Sequence, residues 1–345
     1  MSSRAAILRQ LNAPLSVEPV AVPAPGPGQA IVRIKASGIC HTQLSEARGR
    51  RGEDKFLPHL LGHEAAGIVE AIGPEVTRIQ PGDHVVLSWI KGRGKSVGGA
   101  KYQDAGGKTV NSGPISTFAE RAVISEDRIT PVPKELPFDL AALLGCAVPT
   151  GAGAVLNTAQ VKAGQSVVVF GAGGIGLNAI QAAAFAGASP IIAVDIHDPK
   201  LTQARVFGAT HALNGKSTDV IAAIKELTGG RGADVAIESA GQKLTMEQAF
   251  ACIRAGGGIA VLIGNLPAGQ PISIDPFQLI CGKRIVGCWG GDTDPVRDIP
   301  RYAEMFLSGK LKLNELVSHR FNLDQINEAL DALERGEVAR AILEL

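Results

Sequence analysis

The sequence predicts a two-part α/β protein: a β-rich domain over residues 1–147, a doubly wound parallel sheet over 148–290, and a C-terminal segment, 291–345, that returns to the first domain. Three observations carry this reading. The first half breaks into short apolar and β-branched runs separated by Gly and Pro, the punctuation of strands joined by turns. From Thr150 onward such runs alternate with helical stretches, the order that builds βαβ units. A glycine-rich hexapeptide joins the first of these later runs to the first helix.

In chain order, the strands expected in the first domain are AAILRQL (5–11), AIVRIKAS (30–37), GIVEAIG (67–73), DHVVLSW (83–89) and FAERAVI (118–124). Residues 91–114, rich in glycine and lysine with no apolar period, read as a long loop, either a solvated excursion or a mobile lid. In the second domain SVVVFG, PIIAVD, HALN, ADVAIES, GIAVLIG and RIVGCWG supply six strands. The stretches 175–187, 199–208, 217–229 and 244–253 supply the helices between them. The tail holds two helical stretches, RYAEMFLSG and NLDQINEALDALERG, and the strand-like RAILEL.

Composition narrows the function. With 34 basic and 33 acidic residues the net charge is +1, and the charges are interspersed, so neither nucleic acid nor an anionic membrane is an expected partner. No run approaches the roughly 18 apolar residues that span a bilayer, and no secretory leader is visible. Five cysteines, widely spaced and odd in number, fit a reducing compartment, and a cytoplasmic location is expected.

Gly171-Ala172-Gly173-Gly174-Ile175-Gly176 matches G-x-G-x-x-G, follows a strand and opens an alanine-rich helix. In that setting one glycine makes the tight turn, one lets the backbone touch a pyrophosphate, and one packs helix on strand. Asp195, at the end of the next strand, would accept hydrogen bonds from the adenosine ribose and repel a 2′-phosphate, favouring NAD over NADP. Lys200 either reaches the same ribose or faces solvent.

In the first domain Cys40, His63 and Cys146 supply two thiols and an imidazole, a donor set that suits a catalytic zinc with one position open. By residue type alone each is more often a packed core residue than a ligand. GICHT, GHEAAGIVEAIGPEVTRIQPGDHVV, LLGCAVPTGAGAV and the dinucleotide segment together resemble the zinc-dependent medium-chain alcohol dehydrogenase family, in order and over nearly the whole chain.

The resemblance implies a GroES-like catalytic domain, a Rossmann domain, an active site in the cleft between them, and a homodimer or homotetramer. It implies one zinc held by Cys40, His63 and Cys146, with Glu64 approaching the metal as its coordination changes. Thr42 is expected to hydrogen-bond the substrate oxygen, and His41 and Arg340 to meet the cofactor pyrophosphate. Thr150 and Ile175 would pack on the nicotinamide. Trp89 would line the substrate pocket, a position its size fits as well as a core one. Asn111, Asn265 and the Cys288-Trp289 pair fall near further pocket positions. The activity implied is hydride transfer between an alcohol and NAD, zinc acting as Lewis acid on the substrate oxygen. The alternatives are a zinc-free relative reducing an activated C=C bond of a quinone or enone, and a nucleotide-binding protein without turnover.

Three departures stand out. Residues 88–145 hold no cysteine, so the four-cysteine structural zinc site of many relatives is absent and one zinc per chain is expected. Gln43 stands where relatives usually place an aspartate against a zinc-bound histidine. Ser45 stands where some place a histidine that passes the proton to solvent.

Overall fold

The computed structural model describes residues 1–267 and 269–345. The chain forms two compact units, one of Met1–Cys146 with Asp294–Leu345 and one of Ala147–Thr293.

The first unit opens with β1 (Ser2–Leu8), β2 (Ser16–Ala21), β3 (Gln29–Ile39) and the short helix α1 (His41–Ala47). Then come β4 (His59–Leu60), β5 (Glu64–Ile72), β6 (His84–Ser88), β7 (Lys101–Asp104), β8 (Thr109–Asn111), β9 (Arg121–Ser125), β10 (Ile129–Pro131) and α2 (Phe138–Leu143). Strands β1-β2-β7-β8-β4 close into a barrel, and β3 sits at the middle of a second sheet, flanked by β5 and β9. The residues expected as a 91–114 loop therefore include an antiparallel hairpin, β7 on β8. Tyr102 and Val110 turn inward from it, both fully buried, and the Tyr102 hydroxyl accepts from Val123 N at 2.7 Å. The lid reading is corrected on that ground: two buried anchors fix this segment as part of the barrel wall.

The second unit begins with α3 (Ala147–Gly153) and alternates β11 (Val167–Phe170), α4 (Gly174–Phe185), β12 (Ile191–Asp195), α5 (Asp198–Val206), β13 (His211–Asn214) and α6 (Val220–Leu227). It continues through β14 (Val235–Glu238), α7 (Lys243–Cys252), β15 (Ile259–Leu262), α8 (Pro276–Ile280) and β16 (Arg284–Gly287). The sheet runs β13-β12-β11-β14-β15-β16 and is wholly parallel. Central strands such as VVVF are buried on both faces, which is why they read as unbroken apolar runs and not as alternations. Strand order reverses between β11 and β14, the crevice where such folds bind ligands.

The tail adds α9 (Pro295–Leu307), β17 (His319–Asn322), α10 (Ile326–Glu334) and β18 (Ala341–Glu344) to the first unit. Asp294 caps α9 by accepting from Val296 N, with Pro295 at the first helical position, so this helix starts well before the expected Arg301. Strand β18 pairs antiparallel with β3, Ala341 opposite Ile39. Leu44 and Ala47 of α1 share a core cluster with Leu330 and Leu333 of α10. Burial of Leu44 alone contributes about 1.5–3 kcal/mol, so the tail helix holds α1 in place. Among the described residues no helix is long and apolar enough to cross a membrane.

Candidate metal centre and dinucleotide turn

The strand registers of the first unit bring the expected metal-ligating residues together. Cys40 follows the last residue of β3 and forms the N-cap of α1, its carbonyl accepting from Gln43 N and Leu44 N. The Ala341↔Ile39 register sets Arg340 opposite Cys40, and the Ser37↔Ala65 and Glu64↔Ser88 registers set Glu64 between β3 and β6. Ser88 Oγ donates to Gly145 O at 2.7 Å, tying the residue before Cys146 to the end of β6. A Cβ at Gly145 would lie 2.4 Å from Leu87 O, so only glycine lets the Cys146 segment come this close.

The ligand atoms of Cys40, His63, Glu64 and Cys146 all lie within 4.8 Å of one another. A hydrogen bond from Cys146 holds the Cys40 thiol well below its ordinary range, with His63 adding to the effect. The shared proton correspondingly pushes Cys146 well above its own, and burial adds to this. Burial pulls His63 down, but the Cys40 thiolate beside it outweighs that and raises it. These are groups whose protons a bound cation displaces. His63 Nε2 is buried without a hydrogen-bond partner, and its neighbours are two sulfurs, so the donors present fit a zinc ion.

Glu64 is fully buried, and burial raises its carboxyl, opposed mainly by Arg340. Arg340 Nη2 donates to both Glu64 oxygens, at 2.6 and 2.7 Å. The guanidinium expected at the pyrophosphate thus has one nitrogen committed inside the metal site. Sequence reasoning missed this pair because its members lie 276 residues apart. Gln43, 2% exposed, places its amide against His63 Nδ1. The Trp89 ring stands edge-on to His63, centroids 6.4 Å apart and planes at 72°, and Arg128 Nη1 donates to the Trp89 carbonyl. Thr42, Ser45 and Glu46 form the half-exposed face of α1, and His41 is exposed. Asn111, expected near the pocket, spends its side-chain amide on Phe56 O at 2.8 Å.

The second unit carries the dinucleotide turn. Gly171, at φ +89°, turns the chain out of β11, and a Cβ at Gly176 would lie 1.8 Å from Gly171 O. Gly173 is the N-cap of α4 with no side-chain cap, which leaves the first N–H groups of the helix for an anion. Ser239 Oγ donates to Phe170 O and Gly171 O and fixes the turn from β14. Asp195 ends β12; one carboxylate oxygen accepts from Ala172 N at 2.8 Å and the other from Ile196 N and His197 N. Packing of α3 on α4 puts Gly151 under Ile175 O, and Thr150 Oγ1 is buried there without a partner. Lys200 lies half-buried in the first turn of α5. Asn265 and Trp289 are exposed, Trp289 by 75%, and Cys288 accepts from Thr158 Oγ1 at 3.2 Å.

Comparison with known proteins agrees with this chemistry. Residues 26–134 match the alcohol dehydrogenase GroES-like domain, and residues 174–308 match the zinc-binding dehydrogenase domain. The chain is 35% identical to S-(hydroxymethyl)glutathione dehydrogenase of Paracoccus denitrificans, covering 99% of this chain and 100% of that one. Among solved structures it is similar to an alcohol dehydrogenase zinc-binding domain protein from Burkholderia ambifaria, with TM-score 0.94, 36% identity, and 100% and 99% of the two chains covered. It is also similar to benzyl alcohol dehydrogenase from Acinetobacter calcoaceticus, with TM-score 0.91, 34% identity and the same coverage. The chain belongs to the zinc-type medium-chain alcohol dehydrogenase family. It is a zinc- and NAD-dependent oxidoreductase that transfers a hydride between an alcohol, or the corresponding carbonyl compound, and the cofactor.

Proposed function

We propose that the enzyme acts on small aromatic primary alcohols, of benzylic type, and their aldehydes. The carrying observation is the Trp89 ring, edge-on to the ligand His63 at 6.4 Å. It offers an apolar, planar wall within reach of the metal cluster, and stacking or edge contacts with such a wall favour an aromatic substrate by about 0.5–1.5 kcal/mol. The likeness to a benzyl alcohol dehydrogenase supports the same reading. Steady-state kinetics with benzyl alcohol, ethanol and S-(hydroxymethyl)glutathione test it. The expected order places benzyl alcohol first, with the preference over ethanol falling several-fold in Trp89→Ala. A higher kcat/KM for S-(hydroxymethyl)glutathione sinks the proposal.

In this reading Cys40, His63 and Cys146 would hold the zinc, beside Glu64, whose carboxylate Arg340 restrains. When bound, the zinc supplies Lewis acidity toward the substrate oxygen and the nicotinamide supplies the hydride acceptor. Thr42, on the half-exposed face of α1, would accept the hydroxyl proton of the alcohol while releasing its own through Ser45, one helical turn on, to solvent water. Gly171, Gly173, Gly174 and Gly176 would cradle the pyrophosphate, Asp195 and Lys200 would take the ribose, and Thr150 and Ile175 would flank the nicotinamide.

Two further proposals concern the setting. Edge strand β16 is followed by the 75% exposed Trp289 and preceded by Phe277 and Ile280, exposed by 64% and 80%. An unpaired edge beside apolar side chains suits antiparallel pairing with a second copy, which supports a homodimer or a homotetramer built on that edge, to be distinguished by light scattering. Cys40 and Cys146 must stay reduced to bind metal, which suits the cytoplasm, to be checked by fractionation.

A further inference from the structure

Glu238, the last residue of β14, is fully buried and has no part in the metal centre. Its Oε1 accepts from Ala240 N at 2.9 Å, Gly241 N at 2.8 Å and Thr245 Oγ1 at 2.7 Å. Its Oε2 is buried without a partner, packed so close to Gly264 that a Cβ there would lie 2.6 Å away. Burial raises this carboxyl, while the Thr245 hydroxyl and the Gly241 and Ala240 N–H groups favour the charged form. Among the described residues no Lys, Arg or His forms an ion pair with it. The second unit thus encloses a negative charge with no matching cation, and in a low dielectric its field reaches further than in water.

The topology fixes what that field acts on. A doubly wound sheet binds a dinucleotide as two halves, one on each side of its central strand. Asp195, ending β12, marks the adenosine half, so β14, the neighbour of β11 on the other side, serves the nicotinamide half. Ser239, the next residue, donates to Phe170 O and Gly171 O and ties this strand end to the glycine turn. We infer that Glu238 sets the preference of the site between the two redox states of the cofactor, its charge favouring the cationic nicotinamide of NAD⁺ over the neutral ring of NADH. The inference rests on the dinucleotide reading of residues 171–176. Glu238 acts through space, as a specificity residue and not a catalytic one. A purely structural role, holding the turn after β14 and the start of α7, needs only the acceptor Oε1.

Fluorescence titration of the purified enzyme with NADH, and with NAD⁺ in competition, gives the ratio of the two dissociation constants. Glu238→Gln keeps an acceptor at Oε1 and removes the charge. It is expected to shift the ratio toward NADH by at least about threefold, mostly through weaker NAD⁺ binding. Thr245→Val removes one hydrogen bond and leaves the charge, so melting temperature should fall with the ratio unmoved. A parental ratio in Glu238→Gln overturns the inference, as does an equal shift in Thr245→Val. Should Glu238→Gln fail to fold, the parent enzyme decides. It should bind NAD⁺ at least about threefold more tightly than benzamide adenine dinucleotide, whose ring has the same shape without the charge, and equal affinities overturn the inference. A parent that binds neither NAD⁺ nor NADH would mark failure of the dinucleotide reading itself.

Discussion

The proposed metal centre and the proposed dinucleotide turn are built in opposite ways. The centre is made of side chains from segments as distant as Cys40, His63, Cys146 and Arg340, the first two half-buried and the last two buried, with the two thiols setting each other's charge state. The turn is made of backbone within residues 171–176, with Asp195 and Ser239 holding it through hydrogen bonds. The first site should fail when an atom is removed, because a buried charge or donor then loses its partner. The second should fail when an atom is added, because its space is occupied by main chain or reserved for ligand.

The largest effect follows from deleting a ligand. Cys146→Ala should release the zinc and lower kcat/KM by at least about 1,000-fold, the weight of several kcal/mol of lost charge stabilisation, while NADH affinity by fluorescence titration stays near the parent's. Next, Arg340→Met strands the fully buried Glu64 carboxylate and should cost about 3–5 kcal/mol in denaturant unfolding. A loss under 1 kcal/mol would remove the buried pair from the account. Smaller is Glu126, which shows that a buried charge in this unit can be satisfied without a metal. Its carboxylate accepts from Thr77, Arg78 and Lys95 N–H groups, and these bonds outweigh burial and lower its titration range. A lowered folded value means the stabilisation is present above the usual glutamate range and lost as pH falls through that folded value. Glu126→Gln should therefore cost about 1.5–3 kcal/mol at neutral pH and progressively less in acid. A cost that does not shrink on acidification would refute the assignment. The smallest and most selective change is Gly173→Ala. A Cβ there meets nothing within 4 Å, so melting temperature should not move, yet NADH should bind about tenfold more weakly if the pyrophosphate occupies that space.

The same contrast explains what could be read in advance. The dinucleotide turn is contiguous, and its flanking strands are buried on both faces, so SVVVFG and PIIAVD stand within a residue or two of the observed β11 and β12. The proposed metal ligands share no local pattern, and only resemblance joined them. The Glu64–Arg340 pair depends on the β3–β18 register, which no local signal reveals. The β7–β8 hairpin escaped because only Tyr102 and Val110 of its seven residues turn inward, too short an alternation against a glycine-rich background. The early start of α9 is signalled by Asp294-Pro295, and Pro300 inside the helix obscures that signal.

Metal analysis of the purified enzyme, joined to NAD-linked oxidation of benzyl alcohol before and after chelation, tests the central claim most directly. One zinc per chain is expected, with turnover lost on its removal and restored by adding it back. Two tightly held zinc ions per chain, or full turnover in a zinc-free enzyme, would contradict it.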